Sequence, residues 1–237
     1  MRDYTLETRN RVAFIREVLN NARAKGVVFG NSGGKDCALV GILCKMACAD
    51  TVGVIMPCGS SRNYGSDKDD ANALAAQFEI ETREVDLSPA RQAVLAAMGE
   101  LTDAAIANIA PRLRMAALYA IAGSENRLVA GTGNRSERHM GYFTKWGDGA
   151  YDFNPIADLT VTEVYEFLRY LGAPSCVIGK APSAGLFEGQ TDEADMGISY
   201  AAIDRFLLTG EADARDREVI ERYHNASAHK RKMPIVN

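Results

Sequence analysis

The sequence predicts an α/β fold, a doubly wound parallel sheet with helices on both faces. Short apolar segments alternate with longer helical segments along residues 26–131. This alternation is typical of parallel sheets, because each strand needs a crossover, usually a helix, before the next one. A glycine-rich turn follows the first strand, and ligands of such sheets bind beyond the carboxyl ends of the strands. No internal boundary or repeat is evident, so we expect a single domain, 1–237.

Local patterns place the elements in order. Strands are expected at 27–29, 51–56, 80–87 and 127–131. Helices are expected at 3–24, 38–49, 67–78, 89–98, 104–122, 159–171, 203–208 and 217–223. The third strand alternates apolar and charged residues, which favours a place near the sheet edge. Residues 132–151 and 179–195 are predicted loops, and the first of them, rich in glycine and aromatic residues, is expected to be functional.

The turn after the first strand has the composition of a phosphate-binding loop. Residues 30–37 read GNSGGKDC. Glycines let backbone N–H groups approach a phosphate, and the following helix N-terminus adds partial positive charge. A Walker A motif is excluded, because Phe29 stands where its first glycine belongs and Asp36 replaces its Ser or Thr. The Ser-Gly-Gly-x-Asp pattern instead resembles the pyrophosphate loop of N-type ATP pyrophosphatases; an ordinary glycine turn is the alternative.

Composition and charge narrow the function classes. The chain is 47% hydrophobic and 24% charged, as globular proteins are, and its net charge of −4 gives no overall attraction for nucleic acid. No apolar run approaches the ~18 residues of a membrane span, and the charged N-terminus lacks the apolar core of a signal peptide. We expect a cytoplasmic protein with no nucleic-acid or membrane partner.

The five cysteines form no Cys-x-x-Cys pair. Cys37, Cys44 and Cys48 would share one helix face, but a zinc or iron–sulfur site there lacks a fourth ligand and the usual spacing. Buried thiols that pack as small apolar groups are the expected arrangement.

Four further blocks narrow the resemblance to one family. They read GTGNRSE from Gly131, GYFTKWGDGAYDFNPIADL from Gly141, GKAPSAGL from Gly179 and AHKRKMP from Ala228. Together with the loop they resemble ammonia-dependent NAD synthetases, in order, over about residues 26–234. The resemblance implies the adenine nucleotide alpha hydrolase-like fold. It also implies a ligase in which the nicotinate carboxylate of deamido-NAD attacks the α-phosphorus of ATP, pyrophosphate leaves, and ammonia displaces AMP to give NAD.

The same resemblance implies the partners and the assembly. The substrates would be ATP, deamido-NAD and ammonia, with Mg²⁺ as cofactor, and the dinucleotide site would be shared across a homodimer. Because the match occupies most of the 237 residues, we expect no glutaminase domain and direct use of ammonia.

Residue roles carry over position by position. The residues implied to bind ATP are Gly30, Asn31, Ser32, Gly33, Gly34, Lys35, Asp36, Cys37, Thr132 and Ser183. The residues implied to bind deamido-NAD are Arg112, Lys145, Asp152, His229 and Lys230. Asp36 and Glu137 would hold Mg²⁺, for which paired carboxylates are suitable ligands, and Asp36, Lys145 and Asp152 would act in catalysis. Taken singly, the alternatives are a helix cap for Asp36, a solvated charge for Glu137, a surface charge for Arg112, a loop packed on itself around Lys145, and a turn cap for Asp152.

Two positions depart from the family pattern. Cys37 stands where serine is usual, and Val161 stands where many relatives have a lysine that contacts ATP. We hypothesise that Lys35 partly replaces that lysine, with Lys180 as a second candidate, so that Val161→Lys would compensate for loss of Lys35. An exposed, unengaged Lys35 is the alternative.

Two other functions use the same loop. A tRNA-thiolating pyrophosphatase would need reactive cysteines, and Cys37 at a helix N-terminus is a candidate for a lowered thiol pKa. The acidic net charge and the missing Cys-x-x-Cys pair disfavour this reading. The other is a nucleotide-binding sensor that catalyses no reaction. This function is disfavoured, because a sensor would not need Glu137, Lys145 and Asp152 in addition to the loop.

Overall fold

The fold centres on a four-stranded parallel sheet. A computed structural model describes residues 2–59, 65–180 and 191–234. The strands are β1 (Gly26–Gly30), β2 (Thr51–Ile55), β3 (Glu81–Glu84) and β4 (Arg127–Val129), in the spatial order β3-β2-β1-β4. All four predicted strands are present, and β3 lies at the edge as expected, although it is shorter than 80–87.

Twelve α-helices and one 3-10 helix are found in the described residues. The first six are α1 (Tyr4–Ala22), α2 (Lys35–Ala47), α3 (Ser66–Gln77), α4 (Ser88–Ala97), α5 (Asp103–Ala107) and α6 (Ile109–Glu125). The others are α7 (Arg135–Met140), α8 (Val161–Tyr170), α9 (Ser175–Ile178), α10 (Asp192–Met196), α11 (Tyr200–Thr209), α12 (Ala214–Ala226) and a 3-10 helix (Ala228–Arg231).

The helix predictions are wrong in two places. The helix expected at 104–122 is two helices that meet at Asn108, whose amide bonds to Ala104 O and to the hydroxyl of Thr144. The predicted loops contain α7 and α10, which are too short to show an apolar period. A capping box between Asn134 and Glu137 starts α7. This Asn-x-x-Glu pattern is the one feature of the sequence that indicates a helix start here.

Two apolar clusters cover the two faces of the sheet. Val27 and Phe29 of β1 face Ile15 of α1, together with residues of α2 and α8. Val28 faces the other way, toward α6. Fully burying a side chain such as Phe29 contributes about 1.5–3 kcal/mol, and burial along the whole of β1 and β2 is typical of a sheet covered on both sides. The doubly wound prediction is therefore confirmed.

This strand order creates the ligand-binding crevice. The chain runs from β1 to β2 in one direction, whereas β4 pairs with the opposite side of β1. The carboxyl ends of β1 and β4 therefore flank a topological switch point, where ligands of doubly wound sheets bind. The segments that follow these ends are the glycine-rich loop after Gly30 and the turn that leads into α7.

The thiol prediction is mostly confirmed. Cys37, Cys44 and Cys58 are buried, Cys48 is half-buried, and Cys176 is exposed. Within the described ranges, no group of three or more His, Cys, Asp or Glu side chains is arranged to hold a metal ion. In the same part of the chain, no helix combines the length and apolar character that would let it cross a bilayer.

Candidate active site

A cavity of about 850 Å³ lies at the carboxyl edge of β1 and β4. Its walls come from the loop after β1, from α6 and α7, from residues 140–150 and from the C-terminal segment. The predicted site residues that line it are Gly30, Asn31, Ser32, Gly34, Lys35, Asp36, Cys37, Thr132, Glu137 and Lys230. The fold thus brings together the loop, both predicted metal ligands and one predicted dinucleotide contact.

The loop leaves the N-terminus of α2 open to the cavity. Gly34 is the N-cap of α2, and no side chain caps this end of the helix. Its first N–H groups are therefore available to an anion. Asn31 holds the loop in shape, because its side chain donates to Ala71 O at 3.2 Å and accepts from Gly33 N at 3.3 Å. Gly33 has φ of +73°, and a Cβ there would meet the backbone of Asp67.

Asn134 connects the two predicted metal ligands. Its Nδ2 donates to Asp36 Oδ1 at 3.1 Å, while its Oδ1 accepts from Glu137 N at 3.0 Å. The Glu137 carboxylate in turn accepts from Asn134 N at 3.1 Å. One buried amide therefore holds a carboxylate from α2 and a carboxylate from α7 at the same wall. The resemblance supplied no role for Asn134, and the Asn-x-x-Glu capping pattern was the only signal for it.

Lys35 is buried, so the exposed alternative is wrong. Its side chain is 6% exposed, and its ammonium lies 2.6 Å from Asp36 Oδ2 and 3.8 Å from Glu137 Oε1. The rings of Tyr165 and Tyr200 lie 6.0 and 5.7 Å from Nζ. Burial opposes the charged form, but the two carboxylates outweigh it and raise the pKa of Lys35. The ammonium of Lys35 therefore lies against both predicted metal ligands, which favour its charged form.

Burial also raises the pKa values of two other titratable groups on this wall, Glu137 and Cys37. It raises the pKa of Glu137, with the nearby Asp36 charge adding to the effect. It raises the pKa of Cys37 as well, so the lowered thiol pKa that a thiolating enzyme needs is not found. The Cys37 thiol instead lies 3.1 Å from the hydroxyl of Ser32.

Neither position 161 nor Lys180 supplies a second free ammonium near Lys35. Val161 is 4% exposed and packs against Met140 and Met196. A lysine there would have to extend out of this apolar cluster to reach the cavity, and the expected compensation by Val161→Lys stays a prediction. Lys180 lines the cavity, but its ammonium pairs with Asp67 at 2.6 Å and with Asp70 at 2.7 Å.

Several predicted deamido-NAD contacts lie beside the cavity rather than in it. Arg112 is exposed, and its guanidinium reaches Lys145 O at 3.5 Å. The Lys145 ammonium donates to His229 O at 2.7 Å and lies over the ring of Trp146 at 5.3 Å. These side chains form a surface group next to the C-terminal segment, and their roles remain predictions.

Arg114 lines the cavity, whereas Arg112 does not. Its Nε donates to Met56 O at 3.0 Å, and burial lowers its pKa. The resemblance pointed to Arg112 and supplied no reason to prefer Arg114. Asp152 has structural partners, since it accepts from Val129 N at 2.7 Å and from the hydroxyl of Tyr119 at 3.2 Å. Its catalytic role also remains a prediction.

The C-terminal segment closes one side of the cavity through Lys230. The ammonium of Lys230 donates to Gly141 O at 2.9 Å and to Phe143 O at 2.8 Å. Ser183 lies outside the described residues. Cavity residues that sequence reasoning missed are Arg114, Asn108, Asp148, Tyr165 and Asp192.

Comparison with known proteins decides the family. The family model for NAD synthase matches residues 7–234. The chain belongs to the NAD synthase family. The NH(3)-dependent NAD(+) synthetase of Carboxydothermus hydrogenoformans is 46% identical, over 97% of this chain and 96% of its own. The predicted family is therefore confirmed, and its members are ATP-dependent ligases that use ATP and deamido-NAD.

Two solved structures of NAD synthase relatives extend the likeness to the whole fold. The NMN synthetase of Francisella tularensis has a TM-score of 0.95 and 38% identity, covering 100% of this chain and 99% of its own. The NH3-dependent NAD synthetase of Campylobacter jejuni, in complex with the nitrate ion, has a TM-score of 0.84 and 31% identity over the full length of both chains. The adenine nucleotide alpha hydrolase-like fold is thereby confirmed.

Proposed function

We propose that this NAD synthase family member forms NAD from deamido-NAD, ATP and ammonia, the last step of NAD biosynthesis. The observation that carries the proposal is the open N-terminus of α2 facing Asp36 and Glu137 inside one cavity. A phosphate loop alone would serve any nucleotide-binding protein. A loop beside paired carboxylates is suited to breaking a phosphoanhydride bond, because it can hold both the leaving pyrophosphate and a metal ion.

The chain's own residues account for the first step as follows. The N–H groups of residues 33–36 and the hydroxyl of Ser32 hold the β- and γ-phosphates as negative charge moves onto them. The nicotinate carboxylate attacks the α-phosphorus from the opposite side of the cavity. Arg114 and Lys230 are two of the cations on the remaining walls, where an anionic acceptor would bind. In the second step ammonia attacks the acyl carbon and AMP leaves, so that every bond broken is matched by one formed.

We further propose that Asp36 and Glu137 hold Mg²⁺. The residues fit this ion, because both are hard oxygen donors and a cation, the ammonium of Lys35, already lies against them. When bound, Mg²⁺ would neutralise the charge of the phosphate oxygens. Asn134 would then keep the Asp36 carboxylate oriented toward the ion.

A product assay tests the proposed function. Purified protein is incubated with ATP, deamido-NAD and ammonium, and NAD, AMP and pyrophosphate are measured together. We expect the three products in equal amounts. AMP or pyrophosphate without NAD would contradict the proposal, and ATP binding without turnover would favour the sensor.

A second candidate differs only in the acceptor. The F. tularensis structure with the TM-score of 0.95 is called an NMN synthetase, which favours nicotinate mononucleotide as an acceptor for this chain. This compound is deamido-NAD without its adenylate half, and the adenylation chemistry would be the same. The surface group at Arg112 and Lys145 lies outside the cavity, so a mononucleotide confined to the cavity would not need it.

The specificity constants for the two acceptors distinguish the two proposed functions. The kcat/KM is measured for each acceptor with saturating ATP and ammonium, in the natural protein and in Lys145→Gln. If deamido-NAD is the substrate, its kcat/KM is the higher one, and Lys145→Gln lowers it about tenfold or more, as loss of one charge-assisted contact does. A higher kcat/KM for nicotinate mononucleotide, unchanged in Lys145→Gln, would assign the mononucleotide.

The assembly and the nitrogen donor complete the proposal. We propose a homodimer of single-domain chains, as the resemblance implies, which light scattering on the purified protein would test. We also propose ammonia as the direct donor. Glutamine hydrolysis requires an activated thiolate, whereas burial raises the pKa of Cys37, Cys44 and Cys58.

A further inference from the structure

A second cavity lies on the far side of α7 from the active site. It encloses about 370 Å³ and is lined by Arg2, Arg135, Arg138, His139, Ala157, Asp158, His224 and Arg231. The short helix α7 separates the two cavities, because Glu137 lines the first and Arg138 lines the second. None of the residues that line the second cavity was assigned a role by the sequence or by the proposed function.

Within the described ranges, only one of the four arginines that line this second cavity is paired with carboxylates. Arg2 is paired with Glu163 at 2.7 Å, Asp158 at 3.0 Å and Glu7 at 3.2 Å. Arg135, Arg138 and Arg231 also line the cavity, and among the described residues no carboxylate lies within 4 Å of their guanidinium groups. Guanidinium charges in one cavity that have no paired carboxylate repel one another, at a cost that a bound anion would remove.

Two of the three arginines that have no carboxylate partner in the described part of the chain are held mainly by hydrogen bonds to backbone carbonyls. Arg231 donates to His139 O at 3.3 Å and to the hydroxyl of Ser227 at 2.7 Å, and Arg135 donates to Leu207 O at 2.9 Å. Beside them the imidazoles of His139 and His224 stack with centroids 4.2 Å apart, and His224 Nδ1 contacts His139 O at 2.9 Å. These contacts fix Arg135, Arg231 and the imidazole pair before any ligand binds, which reduces the entropy cost of binding at these side chains.

We propose that this second cavity binds a phosphate-type anion, held by Arg135, Arg138 and the His139–His224 pair. A tetrahedral oxyanion with two charges suits guanidinium groups, which bind phosphate oxygens through paired N–H donors. Arg138 is the main ligand, because its side chain is exposed and its guanidinium makes no hydrogen bond to another described residue. The site does not depend on the proposed function, since its residues are distinct from those that line the active-site cavity.

Histidine NMR gives a site-specific test. The chain has only three histidines, of which His139 and His224 lie in this cavity and His229 lies beside the active site. Inorganic phosphate is titrated into protein labelled at histidine, without substrates and at constant ionic strength maintained with chloride. We expect saturable shifts of the His139 and His224 resonances, whether or not phosphate bound at the active site also shifts that of His229.

Two variants complete the test. Arg138→Gln should weaken phosphate binding about tenfold or more, as expected for loss of one charge-assisted contact. Arg215→Gln, an exposed arginine of α12 that does not line the cavity, removes the same charge and should leave the affinity unchanged. Equal weakening in both variants, shifts confined to His229, or the absence of saturable shifts would each overturn the proposal. A change of oligomeric state in Arg138→Gln without phosphate binding would assign the charges to a contact between copies and overturn it as well.

Discussion

Removing the charge of Lys35 is the sharpest test of the active-site electrostatics. In Lys35→Gln the Asp36 and Glu137 carboxylates lose their only close ammonium among the described residues. At an effective dielectric constant of about 20, the observed separations correspond to attractions of about 6 and 4 kcal/mol before the cost of dehydration. Dehydration offsets much of this attraction, and breaking a buried ion pair usually costs ~3–5 kcal/mol.

We therefore expect Lys35→Gln to unfold at a lower denaturant concentration in the presence of EDTA. A loss of about 3 kcal/mol corresponds to roughly 6–12 °C in melting temperature for a chain of this size. Added Mg²⁺ should restore part of the loss, because a metal ion between the carboxylates replaces the missing cation. The KM for ATP should also rise several-fold, since the cation lies beside the phosphate loop.

Lys45→Gln is the matched control. Lys45 lies on the same helix, and its ammonium contacts only Ala49 O, at 3.1 Å, among the described residues. Urea unfolding of both variants is measured with EDTA and with Mg²⁺. If the two variants agree within about 0.5 kcal/mol in EDTA, the ion-pair reasoning is refuted. If Lys35→Gln is destabilised but Mg²⁺ restores nothing, Lys35 is structural and the carboxylates do not hold the ion.

Three other predictions follow from the site. Asp36→Asn should abolish pyrophosphate release, and its melting temperature should fall about as much as that of Lys35→Gln, because the same buried ion pair is broken; near-normal release would remove Asp36 from the metal site. With glutamine and no free ammonia, the purified chain should form no NAD, and efficient formation would refute direct use of ammonia. Burial, together with His224 and nearby arginines, lowers the pKa of His139 to about 4, so the unfolded chain takes up this proton first as the pH falls below about 6.5. Stability should therefore decrease between about pH 6.5 and 4, by on the order of 1–2 kcal/mol after solvent screening, and His139→Gln should show less of this decrease in pH-dependent urea unfolding.

The fold was predictable because its signals are local. The apolar runs at β1 and β2, the loop between β1 and α2, and the edge character of β3 all appear in short windows of sequence. The short helices were missed for the same reason. Six residues of α7 cannot show an apolar period, and the break at Asn108 depends on a hydrogen bond to Thr144, which is 36 residues away.

Site residues were predictable where a sequence motif determines the backbone conformation. They were unpredictable where tertiary packing determines which side chains face the cavity. The loop from Gly30 to Cys37 lines the cavity almost entirely as expected. In contrast, Arg112 and Arg114 have the same chemistry in sequence, and only the packing of α6 shows that Arg114 faces inward. The burial of Lys35 likewise depends on Tyr165 and Tyr200, which come from helices far along the chain.

The valine at position 161, one of the two departures from the family pattern, bears on the role of Lys35. A family lysine at position 161 would have to leave the apolar cluster that Val161 joins, with Met140 and Met196. With valine there, this part of the core is apolar, and the nearest described ammonium in the phosphate loop is that of Lys35. That ammonium reaches the predicted metal ligands rather than open solvent, and the hypothesis that it replaces the family lysine near the phosphates stays a prediction. Its effect on ATP binding is consequently coupled to Mg²⁺, and the KM for ATP of Lys35→Gln should depend more steeply on Mg²⁺ concentration than that of the natural protein.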